Sequence, residues 1–326
     1  MFLIQALNVN DAYRQSVLLL LEHGVREETR AGKALVMPAP VVTVTKRPWQ
    51  RVLFDETRDA NPFFHLFEAL WMLAGRRDSK FLDRFVGDFG SRYAEEDGTL
   101  HGAYGFRWRR HFDIEGGGFC VDQLEECIDI LRTDPSDRRI VLSMWDPVAD
   151  LGADRRDVPC NTHVYFRIVD GALETTVLCR SNDAVWGAHG ANAVHFSLLH
   201  EYVAEHVGVQ MGHMYQWSNN YHAYEDVILR VGSPIFNNIY DLEIMTHHSL
   251  GKISRSLIAD FLHSLEGGWR HISNNDFLMN VAQPMFEAHL MWKNRNFEDA
   301  MKCVEHIAAE DWRLACRRWL ERRINK

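Results

Sequence analysis

The sequence predicts an α/β (α+β) fold, a sheet flanked by helices, followed by an α-helical C-terminal appendage. Three observations carry this. Residues 163–169, 172–179 and 211–224 read as strands. Residues 11–24, 61–75, 121–133 and 193–206 place apolar side chains at helical spacing. Beyond about residue 230 only helical patterns remain, at 253–266, 276–293, 297–308 and 310–323. The expected organisation is a catalytic domain over 1–230 and a helical extension over 231–326.

Composition narrows the class. The 326 residues are 46% hydrophobic and 25% charged, ordinary for a globular chain with a sizeable core. A net charge of −9 argues against an extended nucleic-acid surface but leaves room for a local phosphate pocket. The six cysteines form no C-x-x-C pair and no zinc spacing, so no metal is expected. No apolar run approaches membrane-spanning length and no signal peptide is evident, which points to a reduced, cytoplasmic protein. The 17 histidines are scattered; His195 and His200, five apart, do not share a helix face and read as structural.

In chain order, the helical run from residue 11 ends at Gly24. A basic loop follows from Arg26 to Lys33, then a strand from Ala34 to Thr45 broken by two prolines. In NPFFHLFEALWMLAG, Asn61 caps a helix, Pro62 opens it and Gly75 closes it. Glu68 lies inside that helix's apolar stripe, which is costly unless the carboxylate has a partner or a task. Arg138-Arg139 open a strand, IVLSMW. Asn192 stands at a helix start, where it can cap. His222 and Tyr224, two apart on an extended chain, point to one side. In the last helix Leu314, Trp319 and Leu320 pack inward and the arginines face solvent.

The densest chemistry lies in PCNTHVYFRIVDGALETTVLCRSND, residues 159–183. Asp170-Gly171 is a two-residue hairpin turn. The return strand therefore brings Arg180, Ser181, Asn182 and Asp183 to the end of the hairpin that holds Cys160. A guanidinium beside a thiol favours a thiolate nucleophile, and Arg with Ser suits a phosphate. His163 is three strand positions from Cys160 and on the other face, which argues against a cysteine hydrolase.

This pattern of PC, hairpin, RSxD and a helix-opening Asn resembles the thymidylate synthase family, and the resemblance runs from about residue 28 to 226. Residues 102–109, GAYGFRWR, resemble the family's GPVYGxQWR, and Arg138-Arg139 with the IVLSMW strand resemble its DSRRIIVSAWN. The resemblance implies a thymidylate synthase-like mixed sheet. It implies Cys160 as nucleophile, with Glu68 and Tyr104 managing protons. It implies substrate contacts from Arg30, Arg180, Ser181, Asp183, Asn192, His222 and Tyr224, and from Arg138 and Arg139 across the interface of a homodimer with shared sites. It implies 5,10-methylenetetrahydrofolate as co-substrate, held at Asp183 and at Trp49, where the family carries His. It implies dUMP or a related pyrimidine nucleotide as substrate.

Three departures from the family pattern favour water over hydride in the last step. The tryptophan of WDEWA is replaced at Gly90, the His after the cysteine is Asn161, and the closing tail is replaced by unrelated helices. Arg-Ser-Asn-Asp also resembles phage nucleotide hydroxymethylases, which implies 5-hydroxymethyl-dUMP as product and, for a phage protein, the host cytoplasm as its place. Thymidylate synthesis is the alternative. Deoxycytidylate hydroxymethylation is less in keeping with Asn192, because those enzymes carry Asp there. A non-catalytic nucleotide or RNA binder on the same fold is opposed by the joint presence of Cys160, Glu68 and Tyr104. A one-residue insertion is expected between Asp183 and Asn192.

Overall fold

A computed structural model describes residues 1–29, 32–114, 119–232, 239–242, 245–268 and 273–324. The chain opens with β1 (Phe2–Ala6), α1 (Val9–His23), β2 (Val25–Thr29), β3 (Gly32–Val36) and β4 (Val41–Thr45). Then come α2 (Pro62–Leu73), α3 (Phe89–Tyr93), α4 (Tyr104–Arg109), the short strands β5 (Asp113–Ile114) and β6 (Phe119–Cys120), and α5 (Gln123–Thr133). The centre is β7 (Val141–Ser143), α6 (Pro147–Asp150), β8 (Asn161–Val169), β9 (Ala172–Asp183), a π-helix (Ala184–Ala191), α7 (Asn192–Val207) and β10 (Gln210–Tyr224). Helices complete it: α8 (Glu225–Val231), α9 (Ile239–Leu242), α10 (Arg255–Gly267), α11 (Gln283–Lys293), α12 (Phe297–Glu305) and α13 (Glu310–Ile324).

The main sheet runs β1-β4-β10-β9-β8-β7, with β3 also on β10 and β2 on β3. It is mixed: β1–β4 and β10–β9 are parallel, the other pairs antiparallel. The β8–β9 hairpin forms as the sequence predicts, with Asp170 and Gly171 both at positive φ (49° and 77°), as a type I′ turn requires. The strand expected over 34–45 is two strands, β3 and β4, because the prolines at 38 and 40 cannot continue a ladder. The basic stretch from Arg26, expected as a loop, is the edge strand β2 as far as Thr29, exposed throughout and held by backbone pairing with β3.

α2 is the central helix. Asn61 caps it through Phe64 N (3.1 Å) and Pro62 occupies its first turn. Phe63, Leu66, Phe67, Leu70, Trp71 and Leu73 are all buried, and only Phe64 and Glu68 stay partly exposed along one side of the helix. Full burial of each such side chain contributes about 1.5–3 kcal/mol as an upper value. α7 covers one side of α2, while α10, α11 and α13 cover another, all within one hydrophobic cluster. Arg76 joins Asp78 to Glu266 of α10 through hydrogen bonds of 2.7–2.9 Å. The expectation that the last helix's arginines face solvent is corrected at two positions. Arg322 and Arg323 both bind Asp59, and Arg323 lies 3.6 Å from the Trp319 ring centre. Among the described residues no helix is long and apolar enough to cross a membrane.

Candidate active site

Cys160 immediately precedes β8 and faces Arg180 of β9, whose N–H donates to the Cys160 carbonyl (2.9 Å). The Arg180 guanidinium donates from Nε to Pro159 O (2.8 Å) and from Nη2 to Val158 O (3.1 Å), which leaves Nη2 3.9 Å from Cys160 Sγ. A register shift between Asn161 and His163 bends β8 just after the cysteine, a common device beside active sites. The neighbouring thiol, Cys179, is buried, and burial pushes it up to about 12. It stays protonated and donates to Ser181 O (3.0 Å), so Cys160 is the half-buried thiol suited to attack.

Tyr104 opens α4 against α2. The close approach requires Gly105, where an added Cβ would fall 1.9 Å from Met72 O. Three N–H groups converge on the Tyr104 oxygen: Cys160 N (3.3 Å), Asn161 N (3.2 Å) and Asn161 Nδ2 (3.0 Å). Burial, reinforced by the two thiols, holds its phenol well above the usual range. The hydroxyl thus remains a donor, with its proton available to a further partner.

Beside Tyr104 opens a cleft of ≈ 260 Å³, lined among others by Glu68, Tyr93, Asp157, Asn192 and His195. Glu68 projects into it from α2. His195, read from sequence as structural, has its Nε2 3.0 Å from Glu68 Oε2, with side-chain exposures of 4% and 14%. Asp157 was not anticipated either. Burial raises its pKa, and it accepts from Gly102 N (2.9 Å). The signal for His195 was its spacing from Asn192: three apart on α7, the two share a helix face.

The stretch before Asn192 is the π-helix Ala184–Ala191, whose wider turns hold one more residue per hydrogen-bonded ring. Asn192 therefore does not cap α7, correcting the sequence reading: Ala191 is at the N-cap position, without a side-chain bond. The Asn192 amide is instead buried between two others. Its Oδ1 accepts from Asn161 Nδ2 and its Nδ2 donates to Asn182 Oδ1, both at 3.4 Å. Asn182 is fixed in turn by Ser218 Oγ (2.9 Å). Asp183 Oδ1 caps the π-helix at Val185 N and Trp186 N (both 2.7 Å), while its buried Oδ2 has no hydrogen-bond partner among the described residues.

Ser181 pairs with Asn220 and Asp183 with His222 in the β9–β10 ladder. His222 and Tyr224 lie together, ring centres 5.6 Å apart. Trp49 stands apart from the cleft lining, against His247 (6.5 Å). Arg138 and Arg139 are exposed before β7, and Arg139 is paired with Asp137. Arg30 lies outside the described residues.

The chain belongs to the thymidylate synthase family, which matches residues 11–262. Enzymes of this family use methylenetetrahydrofolate as co-substrate, and dUMP is a substrate that fits them. Among relatives, the deoxyuridylate hydroxymethyltransferase of Pseudomonas phage M6 is 42% identical over 99% of this chain and 95% of that protein. The enzymes of the same name from Bacillus phage SP01 and Delftia phage PhiW-14 are 34% and 29% identical, over 60% and 56% of this chain and 52% of each relative.

Proposed function

We infer that this protein transfers a one-carbon unit to C5 of dUMP and completes the reaction with water, giving 5-hydroxymethyl-dUMP. The observation that carries the reading is the cleft beside Tyr104, whose otherwise apolar wall carries Glu68, Asp157, Asn192 and His195, with Gly90 standing where the family has a tryptophan. At Gly90 an added Cβ would meet Ser79 Oγ at 2.7 Å and Asp83 Oδ2 at 2.8 Å, so Ser79 and Asp83 would have to shift to admit a side chain. Water access to the cleft favours hydration. The likeness to the Pseudomonas phage enzyme over nearly the whole chain supports the same reading.

Bound 5,10-methylenetetrahydrofolate supplies an electrophilic one-carbon unit. Asp183 fits it, because the unpartnered, buried Oδ2 can accept from a pterin N–H. Cys160 adds to C6 and makes C5 nucleophilic. Tyr104, kept protonated, and Glu68 hold and move protons around the pyrimidine. The Asn192 amide, oriented by Asn161 and Asn182, pairs with O4 and N3–H of uracil. His222 and Tyr224 hold the sugar. Arg180 and Ser181, with Arg30, bind the phosphate. Trp49 is the remaining proposed folate contact.

Arg138 and Arg139 serve the partner subunit of a homodimer. Val141 pairs with Tyr165, so the two arginines lie further along, toward Arg167. That end of the strand is about 20 Å from Cys160 at ~3.3 Å per residue, too far to serve the same protomer's site. The helices beyond residue 230 act as a cover for α2. The phage origin of these three relatives supports the host cytoplasm as the place of action.

Analysis of both products tests the reading. Hydroxymethylation releases tetrahydrofolate with 5-hydroxymethyl-dUMP. Dihydrofolate with thymidylate would mean that hydride, not water, ends the reaction.

A further inference from the structure

Three buried histidines lie within twelve residues of one another. His189 shares hydrogen bonds with Ser16 Oγ (2.7 Å) and Tyr221 OH (2.9 Å), and His200 Nε2 with Leu173 O (2.7 Å). Those are core histidines with partners. His195 differs: neither ring nitrogen makes a hydrogen bond among the described residues, and neither does Glu68 Oε2, although Nε2 and Oε2 are only 3.0 Å apart. The pair is close but misaligned, and both groups line the cleft. Buried polar atoms left unpaired cost about 1–3 kcal/mol each. A cluster of them on a cavity wall implies a polar guest of small size.

We propose that His195 is a positioning residue for the hydration step. It and Glu68 hold between them the water that attacks the exocyclic methylene, and His195 steadies the Glu68 carboxylate as it takes that water's proton. This rests on the hydroxymethylation reading above. The placement follows from α7: Asn192 reads the O4/N3 edge, and His195 is one turn further along the same face. Ring carbon C5 adjoins C4, so its methylene substituent lies beside the Asn192 contact, on the side His195 can reach.

The step balances without an oxidant or reductant. The water oxygen forms a bond to the methylene carbon. The exocyclic π pair moves through C5 to O4 as an enolate, and the water proton passes to Glu68. The enolate then collapses, C5=C6 reforms, the C6–S bond breaks, and Cys160 leaves as thiolate.

The test compares wild type with His195→Phe and His195→Gln, using dUMP tritiated at C5, methylenetetrahydrofolate, and 2-mercaptoethanol as a competing nucleophile. Loss of tritium reports every step up to the methylene; hydroxymethyl product reports hydration. The expected result for His195→Phe is a ten- to hundredfold fall in hydroxymethyl product. Tritium release and the KM for dUMP should stay within about threefold, and a thioether product should appear where water has lost its place. His195→Gln, which keeps a polar group, should recover part of the hydroxymethyl yield and decides the matter if the Phe variant does not fold. Parallel loss of tritium release and product, or no loss of either, would overturn the role of His195. A wild type that makes thymidylate would instead overturn the reading of the reaction itself, and with it the hydration step.

Discussion

Glu68 and Glu201 are both carboxylates on buried helices, α2 and α7, that pack against each other, yet their surroundings differ. Glu201 accepts from Arg51 Nη2 (2.5 Å), His247 Nε2 (2.8 Å) and Leu250 N (3.0 Å). Burial would raise its pKa, but Arg51 and His247 outweigh that and hold it at about 2. Glu68 faces a cleft with one misaligned imidazole and an oxygen that makes no hydrogen bond. A saturated buried carboxylate joins elements together, here the α7 core, the 51–54 segment and the 247–250 segment that leads to the C-terminal helices. An under-paired one on a cavity wall is reserved for a ligand or water.

Substitutions at the two kinds of site should separate accordingly. The largest effect is expected at the nucleophile: Cys160→Ser should lower turnover by roughly a thousandfold or more, abolish tritium exchange at C5 and leave the melting transition unchanged. Next comes Glu201→Gln, which removes one partner of a buried pair and should cost about 3–5 kcal/mol of stability, with kcat of the folded enzyme within twofold. Its pH dependence carries the sign. Glu201 titrates near 4.5 unfolded and about 2 folded, so its contribution is present above pH 4.5 and lost as pH falls toward 2. That contribution is on the order of 3 kcal/mol. Burial depresses His189 and His289 to about 3 and His200 to about 4, so their share is lost earlier, as pH falls below 6.5. Urea midpoints should therefore fall from about pH 6.5 downward and more steeply below pH 4.5, and Glu201→Gln should remove only that added steepness.

Glu68→Gln should do the opposite of Glu201→Gln. About a hundredfold of turnover should be lost, with stability within about 1 kcal/mol, because no partner is orphaned. A Glu68 variant that unfolds like the Glu201 variant would erase the distinction between the two. Subunit mixing is the next test: a Cys160→Ser chain and an Arg138→Ala/Arg139→Ala chain, each weak alone, should regain up to about a quarter of wild-type activity through one intact shared site per heterodimer. Failure under proven exchange would place the arginines elsewhere. The smallest effect is in base choice. Asn192→Asp should shift preference from dUMP toward dCMP by about tenfold to a hundredfold, since a carboxylate meets uracil O4 acceptor to acceptor. Competition kinetics with both nucleotides reads it.

What the sequence disclosed and what it hid follow from the range of the forces involved. The Asp170-Gly171 turn and the Asn61 cap are set by neighbours within four residues, and both were legible. So was the placing of Arg180 beside Cys160, set by the hairpin, whereas Tyr104 was reached only through the family resemblance. The strand β1 was not, because FLIQA becomes a strand only by parallel pairing with β4, far along the chain. The same holds for Arg322 and Arg323, whose partner Asp59 is more than 260 positions away. His195 was passed over because it was measured against His200, when the informative neighbour was Asn192. For Asn192 the cap alternative failed, because helix-start chemistry gives no hint of a π-turn running straight into α7.

The most direct test is to run the reaction with dUMP and methylenetetrahydrofolate in water enriched in heavy oxygen and to weigh the nucleotide formed. The expected product is dUMP plus CH2O, with its new oxygen carrying the solvent label. A product heavier by CH2 alone, without label, would contradict a water-terminated reaction in this cleft.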